Sequence, residues 1–388
     1  MEKTMAQLKP IGVFTLLSVA CLTIMVGCVI VPGLPSIAAA LGVGPASSWL
    51  VTLPSLGVAV FGLAVGRLIE KLGSRRSLVI GLLLYGLLGY AAVWLRGYPA
   101  VLLDRFLLGG ATAIVMSAGT TLISEFFDGE ARLKMISRQG MAIELGGVVF
   151  LAIGGMLAGI GWQHPFLLYL VAWIFAAMVV TFVPQSPPSS GQVEPGATGS
   201  APAMWDVYLA ATCSMIVFFA AVILLPQKLA DMGMGEAEIG YFLSFVSLIA
   251  VGAAFVMPRF MDALGSMKTL MIAFSTYAVG HGIFFAAGSF PLVVVAGMLV
   301  GCGFGFSIPL VNHLTIERSP VSLRGRLLGY LSVAIFMGQF LSAFIEMLPL
   351  TRAGFFLVAG LVAFLTFCLF AVRTRAASGR VDGGRARL

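Results

Sequence analysis

Glu144 sits within Gly140-Met-Ala-Ile-Glu-Leu-Gly-Gly147, where no other residue carries charge. A charge at bilayer depth costs about 2.5–3.5 kcal/mol even on lenient insertion scales, so this carboxyl needs a partner, a wet cavity or a function. A carboxyl deprived of water can load and release a proton, the chemistry of a coupling group. The other reading is a hydrogen-bonded glutamate bracing two helices. Asp104-Arg105 is the second intramembrane charge site. It could sense protonation or steady an anionic substrate, or Asp104 could lie at the interface, since adjacent helical residues point in different directions. Asp206 and Glu346 are the remaining acids to consider, and Glu346 is expected exposed at an outer helix end.

A second constellation is written twice. Gly66-Arg-Leu-Ile-Glu70-Lys-Leu-Gly73-Ser-Arg-Arg76-Ser-Leu78 recurs 192 positions later as Pro258-Arg-Phe-Met-Asp262-Ala-Leu-Gly265-Ser-Met-Lys268-Thr-Leu270. The register continues without a gap: Tyr85 falls on Tyr277, Pro99 on Pro291, Gly109 on Gly301, Glu125 on Glu317 and Arg132 on Arg324. Two similarly folded halves follow from such a repeat. Gly66 and Gly73 are read as allowing a tight turn and close helix approach. Glu70, Arg75 and Arg76, echoed by Asp262 and Gly265, are read as a gating latch, an acid facing a helix dipole or arginine on one surface. The plainer reading is a solvated turn.

The elements that hold these residues follow from composition. Of 388 residues only 10% are charged and 60% are hydrophobic, and mean hydropathy is +1.04. Bilayer-length apolar stretches recur along the chain, at about 11–31, 49–65, 79–95, 100–122, 134–157, 166–183, 204–225, 239–256, 268–287, 291–314, 327–348 and 353–372. The expected fold class is an all-α integral membrane protein with twelve transmembrane helices in two six-helix pseudo-symmetric halves. Residues 1–183 form the first half, 184–203 a Pro-, Gly- and Ser-rich cytoplasmic linker, 204–372 the second half and 373–388 a basic cytoplasmic tail.

The net charge of +7 could suggest nucleic acid, but its distribution excludes that. With a cytoplasmic N-terminus, 19 of the 23 Lys and Arg fall in or beside cytoplasmic segments. This positive-inside asymmetry places both termini in the cytoplasm. The first apolar run is too long for the core of a secretion signal and is kept as a helix.

Other groups carry weaker signals. The five cysteines, Cys21, Cys28, Cys213, Cys302 and Cys368, lie in apolar runs with no metal-ligand spacing, so neither a disulfide framework nor a metal is expected. Gly301-Cys-Gly-Phe-Gly305 mimics a nucleotide loop but lies inside an apolar span, where close helix packing explains it. Thr112, Ser117, Tyr277, His281, Asn312, His313 and Gln339 could face a central path, with Phe218, Phe304, Phe306 and Phe336 as apolar walls. His281, near an outer helix end, is expected to be a surface imidazole.

These motifs resemble the major facilitator superfamily. The 66–78 segment is similar to its signature between helices 2 and 3, with Gly66, Leu68, Gly73, Arg75 and Leu78 matching, Lys71 basic as usual, and Glu70 replacing Asp. Pro32-Gly-Leu-Pro35 resembles the helix 1 ending of drug:proton antiporters in that superfamily. Arg105 with Gly109 resembles the helix 4 pattern, with Leu108 in place of Gln. Gly146, Gly154 and Gly155 resemble the helix 5 glycine ladder, whose Gly-Pro is replaced by Phe150-Leu151.

The resemblance implies a secondary transporter and not an enzyme, needing no cofactor. Its partners are a small-molecule substrate, protons and the lipid bilayer, with a monomer expected. The function read from it is proton-driven export of a small organic compound by alternating access across a bacterial-type inner membrane. Glu144 is the first choice of proton-coupling carboxylate, with Arg105 as its electrostatic regulator and Asp104 in the same proton-coupling set. Substrate contacts are assigned to Thr112, Glu144, Phe218, Tyr277, Phe304, Asn312, Phe336 and Gln339. The alternatives are export of a siderophore, sugar derivative or lipid, an importer, or a non-transporting receptor or scaffold.

Overall fold

A computed structural model describes residues 8–44, 47–185, 202–320 and 323–385; most of the expected linker lies outside these residues. The described chain is helical. The first helices are α1 (Pro10–Cys28), α2 (Leu34–Leu41), α3 (Trp49–Leu72), α4 (Ser74–Ala91), α5 (Tyr98–Phe126) and α6 (Gly129–Ile160). A 3-10 turn at His164–Leu170 leads into α7 (Val171–Phe182). Then come α8 (Trp205–Asp231), α9 (Glu236–Leu264), α10 (Ser266–Ala286), α11 (Phe290–Arg318), α12 (Arg324–Leu341) with a 3-10 extension at Ser342–Met347, and α13 (Arg352–Arg385). Among the described residues, 11 helical segments are long and apolar enough to cross a membrane. The shorter α4, whose first turn carries Arg75 and Arg76, completes the twelve.

The chain divides into two compact units, Met1–Pro195 with Pro226–Phe245, and Gly196–Leu225 with Val246–Leu388. The 226–245 hairpin, counted by the repeat with the second half, packs in the first unit. There Glu236 accepts a hydrogen bond from Ser36, and Ser244 donates to the Val148 carbonyl at 2.8 Å.

The repeat is legible in side-chain contacts. Tyr85 is fully buried and donates to the Leu22 carbonyl at 2.8 Å. Its counterpart Tyr277 is also fully buried and meets Ser214 at 3.0 Å, and Ser214 stands 192 positions after Leu22. A Cβ on Gly109 would strike the Pro54 carbonyl, and one on Gly301 would come within 2.6 Å of the Val246 carbonyl, again 192 positions on. Each unit thus lets its fifth or eleventh helix touch a neighbouring backbone through a missing side chain.

Several sequence expectations need correction here. The 66–78 segment is not an extended loop: α3 runs through Leu72 and α4 begins at Ser74, so Gly73 alone breaks the helix. Gly73 has φ +81° and Gly265, its repeat, φ +84°, a left-handed setting that suits glycine. Gly66 neither turns nor packs closely, because it is helical and a Cβ there would meet nothing within 4 Å. Pro32-Gly-Leu-Pro35 does not close a long helix; it leads into α2, with Pro35 in the first turn, where a missing N–H costs nothing. The last span also continues as helix beyond 372, to Arg385.

Candidate functional site

The first unit buries a charge pair. Asp104 is 6% exposed and Arg105 0%. Arg105 Nη2 donates to Asp104 Oδ2 at 2.7 Å and Nε to the same oxygen at 3.1 Å. These neighbours therefore converge, contrary to the expectation that they diverge. A guanidinium is long enough to fold back along its helix to the adjacent carboxylate. Nη2 also donates to the Leu88 and Gly89 carbonyls at 3.1 and 3.2 Å. The rings of Phe166 and Tyr169 each stand 5.6 Å from the guanidinium carbon, a cation–π setting strengthened by the absence of water. Nη1 has no hydrogen-bond partner among the described residues.

Glu144 is half-buried on α6, and among the described residues no hydrogen bond or ion pair reaches its carboxyl. The helix is held to α1 by small groups. Cys21 Sγ donates to the Ala142 carbonyl at 3.0 Å, and a Cβ on Gly146 would lie 2.9 Å from the Cys21 Cβ. The Cys28 thiol at the end of α1 lies near the carboxyl. No hydrogen bond or ion pair joins Arg105 to Glu144 among the described residues: Arg105 engages Asp104, the Leu88 and Gly89 carbonyls and the rings of Phe166 and Tyr169.

Of the gating motif, Glu70, Arg76 and Asp262 are exposed. Arg75 donates to the Val180 carbonyl on α7. The acid that engages the start of α4 is one the sequence reading passed over as a register mark: Glu125 accepts from Ser74 at 2.7 Å. A carboxylate there also faces the positive end of the α4 dipole. Its repeat Glu317 instead lies 3.7 Å from His313 on its own helix. The coincidence of Glu125 with Glu317 in the repeat was the available signal.

The expected substrate contacts divide between the units. In the first, Thr112 is fully buried and donates to the Leu108 carbonyl at 2.8 Å, so its hydroxyl is used inside its own helix. In the second, Phe218 and Phe304 meet with centroids 4.1 Å apart and their planes tilted by 35°. Tyr277 is fully buried, and its hydroxyl belongs to a cluster in which Ser214 and Ser307 lie 2.6 Å apart. Thr112 and Tyr277 therefore hold helices and present no surface to solute. Asn312 is half-buried and donates to the Ile308 carbonyl at 2.9 Å; Phe336 is half-buried and Gln339 buried.

His281 is not a surface imidazole: it is fully buried, with Nε2 3.0 Å from the Val217 carbonyl. It packs against Phe284 and Phe356 and over Gly360, where an added Cβ would lie 3.2 Å from its own Cβ. His281 stands 192 positions after Gly89. In the first unit the large ring belongs to Tyr169, which covers Gly89 and donates to the Val26 carbonyl at 3.1 Å. In the second the ring comes from the other helix and the glycine is Gly360. The two units make the same inter-helix bridge with ring and gap exchanged.

The sequence profile of the Major Facilitator Superfamily matches residues 15–343 and, in a second placement, 207–387. The "Uncharacterized transporter YycB" of Bacillus subtilis is 24% identical over 71% of this chain and 69% of its own length. The "Multidrug efflux protein YfmO" of the same organism is 23% identical over 86% of this chain and 87% of its own. The crystal structure of a D-xylose-proton symporter superposes with a TM-score of 0.74 at 17% identity, covering 93% of this chain and 97% of that one.

Proposed function

Because the chain belongs to the Major Facilitator Superfamily, a family of multi-pass membrane transporters and not of enzymes, we propose that it is a proton-coupled exporter of a small organic compound. The observation that carries this reading is Glu144, a carboxyl set in an apolar helix with no hydrogen bond or ion pair reaching it among the described residues. A mid-membrane carboxyl left unpaired is available to take up and release protons. Similarity to a multidrug efflux protein over most of both chains supports the outward direction.

Glu144 carries the proton, exchanging it on one side of the bilayer for substrate on the other. The Asp104–Arg105 pair, closed on itself, shapes the neighbouring helices without acting on that carboxyl directly. Glu70 and Asp262, exposed at the last turns of α3 and α9, are the groups that make and break contacts as the protein changes state. The protein works as a monomer in a bacterial-type inner membrane, with both termini cytoplasmic, an orientation that the distribution of Lys and Arg supports. A potential of 100 mV supplies roughly 2.3 kcal/mol per proton, enough to hold a neutral solute at a tens-fold gradient.

The test is transport in proteoliposomes containing a pH-sensitive dye and screened against a panel of small organic compounds. A substrate should move protons across the membrane with wild-type protein. Glu144→Gln should lose uphill transport driven by a pH gradient while keeping downhill exchange. Normal uphill rates in Glu144→Gln would remove this carboxyl from the coupling step.

A further inference from the structure

One end of the second unit gathers a charge cluster that the transport reading does not use. Asp206, in the first turn of α8, is 3% exposed and accepts from Arg318 Nη1 at 2.9 Å at the end of α11. Arg373 Nη1 on α13 approaches the same carboxylate oxygen at 3.2 Å without hydrogen-bond alignment. The Arg373 guanidinium lies 4.5 Å from the centroid of Trp205, which is 52% exposed. The start of α12 is fastened to the same place, because Leu323 and Leu327 pack on Met204 and Tyr208 donates to the Leu327 carbonyl at 3.0 Å. That first turn brings Arg324 and Arg326 to the same end.

Among the described residues, one carboxylate faces two guanidinium groups, and Arg326, exposed in the first turn of α12, adds a positive charge at this end. Arg318 and Arg373 are 32% and 38% exposed, open enough to receive a ligand. A half-exposed Trp at a helix start is typical of the membrane interface, where an indole lies among headgroups. Arg offers planar, paired donors suited to phosphate oxygens. Basic pockets between transmembrane helices on the cytoplasmic side are fitted to anionic headgroups.

We propose that the end of the second unit formed by Trp205, Arg318, Arg326 and Arg373 binds the phosphate of an anionic phospholipid headgroup. The assignment to the cytoplasmic leaflet rests on the orientation read above; binding itself does not. Arg373, held by Asp206 but not hydrogen-bonded to it, turns one edge to the phosphate, and Trp205 lies along the glycerol region. Arg318 keeps its bond to Asp206 and supplies field.

Native mass spectrometry of the full chain in detergent, with phosphatidylglycerol or phosphatidylcholine of equal acyl length, reads this directly and needs no transport. Phosphatidylglycerol should be retained in preference. Arg373→Gln and Arg326→Gln should each weaken that retention about five-fold, the contribution of one basic side chain near a charged surface. Among the described residues no hydrogen bond or ion pair reaches exposed Arg326, so its variant stands if Arg373→Gln proves unstable. Arg76→Gln, an exposed charge in the first unit, should change nothing. Equal retention of the two lipids, or equal losses in all three variants, would overturn the site. So would displacement of phosphatidylglycerol by millimolar inorganic phosphate, which would mark a free-phosphate site. Failure of the Glu144 experiment leaves these outcomes untouched.

Discussion

Asp104 and Arg105 are chain neighbours that close on each other at 2.7 Å while both are buried. Adjacent helical residues normally diverge by about 100°, so the pairing needs a long side chain. Arg105 supplies the length, and the Leu88 and Gly89 carbonyls accept from the same guanidinium. The pair is neutral as a whole, which is how a charge persists in this setting.

Breaking that pair should be costly and repairing it should not. Asp104→Asn leaves a buried guanidinium without its carboxylate, and about 3–5 kcal/mol of stability should be lost. Combining it with Arg105→Met should recover most of the loss. Thermal unfolding of purified protein in detergent measures both. A single variant as stable as wild type would show that the guanidinium finds water or another partner.

The glycines separate by what surrounds them. Gly66→Ala should be neutral or stabilise by up to about 1 kcal/mol, because the site is an exposed helix with open space. Gly109→Ala places a methyl on the Pro54 carbonyl and should cost about 1–3 kcal/mol. Gly73→Ala meets no atom but forces φ +81° on a side chain, and should cost about 1–2 kcal/mol. Unfolding midpoints that fail to follow this order would refute the close approach of α3 and α5 at Gly109.

Glu125 should outweigh Glu70 in stability and yield to it in transport. Glu125→Gln weakens a 2.7 Å bond from Ser74 at the start of α4, worth about 0.5–2 kcal/mol as a helix-start interaction. Exposed Glu70 should tolerate Gln within about 0.5 kcal/mol, yet Glu70→Gln should slow transport if the acid serves as a latch. Paired unfolding and proteoliposome assays separate the two roles. Unchanged transport in Glu70→Gln, with unchanged cysteine labelling on α3, would dismiss the latch.

Tyr85→Phe and Tyr277→Phe test whether the repeat is energetic as well as geometric. Each removes one hydroxyl from a buried bond, at about 0.5–1.5 kcal/mol. The Tyr277 variant should be the milder, because Ser214 and Ser307 remain 2.6 Å apart and satisfy each other. Equal or inverted losses in a denaturation series would mean that Tyr277 holds the serine pair together.

The membrane class, the spans, the internal repeat and the place of Glu144 in an apolar helix were legible in the chain. They are properties of local composition and of spacing, and bilayer thickness converts them directly into helices. Contacts between distant residues were not legible. Ser74 meets Glu125 51 positions away and Arg318 meets Asp206 112 positions away, pairs that only the helix packing selects. His281 looked superficial because it lies near a helix end, and it is buried because α13 offers Gly360 opposite it. The 66–78 segment looked like a loop because it is polar. In the fold it is helix broken at Gly73 alone, since a left-handed glycine turns the chain in a single residue. Sequence thus determined which residues lie in the membrane; which of them meet was decided by the gaps that glycines leave and the side chains long enough to reach through them.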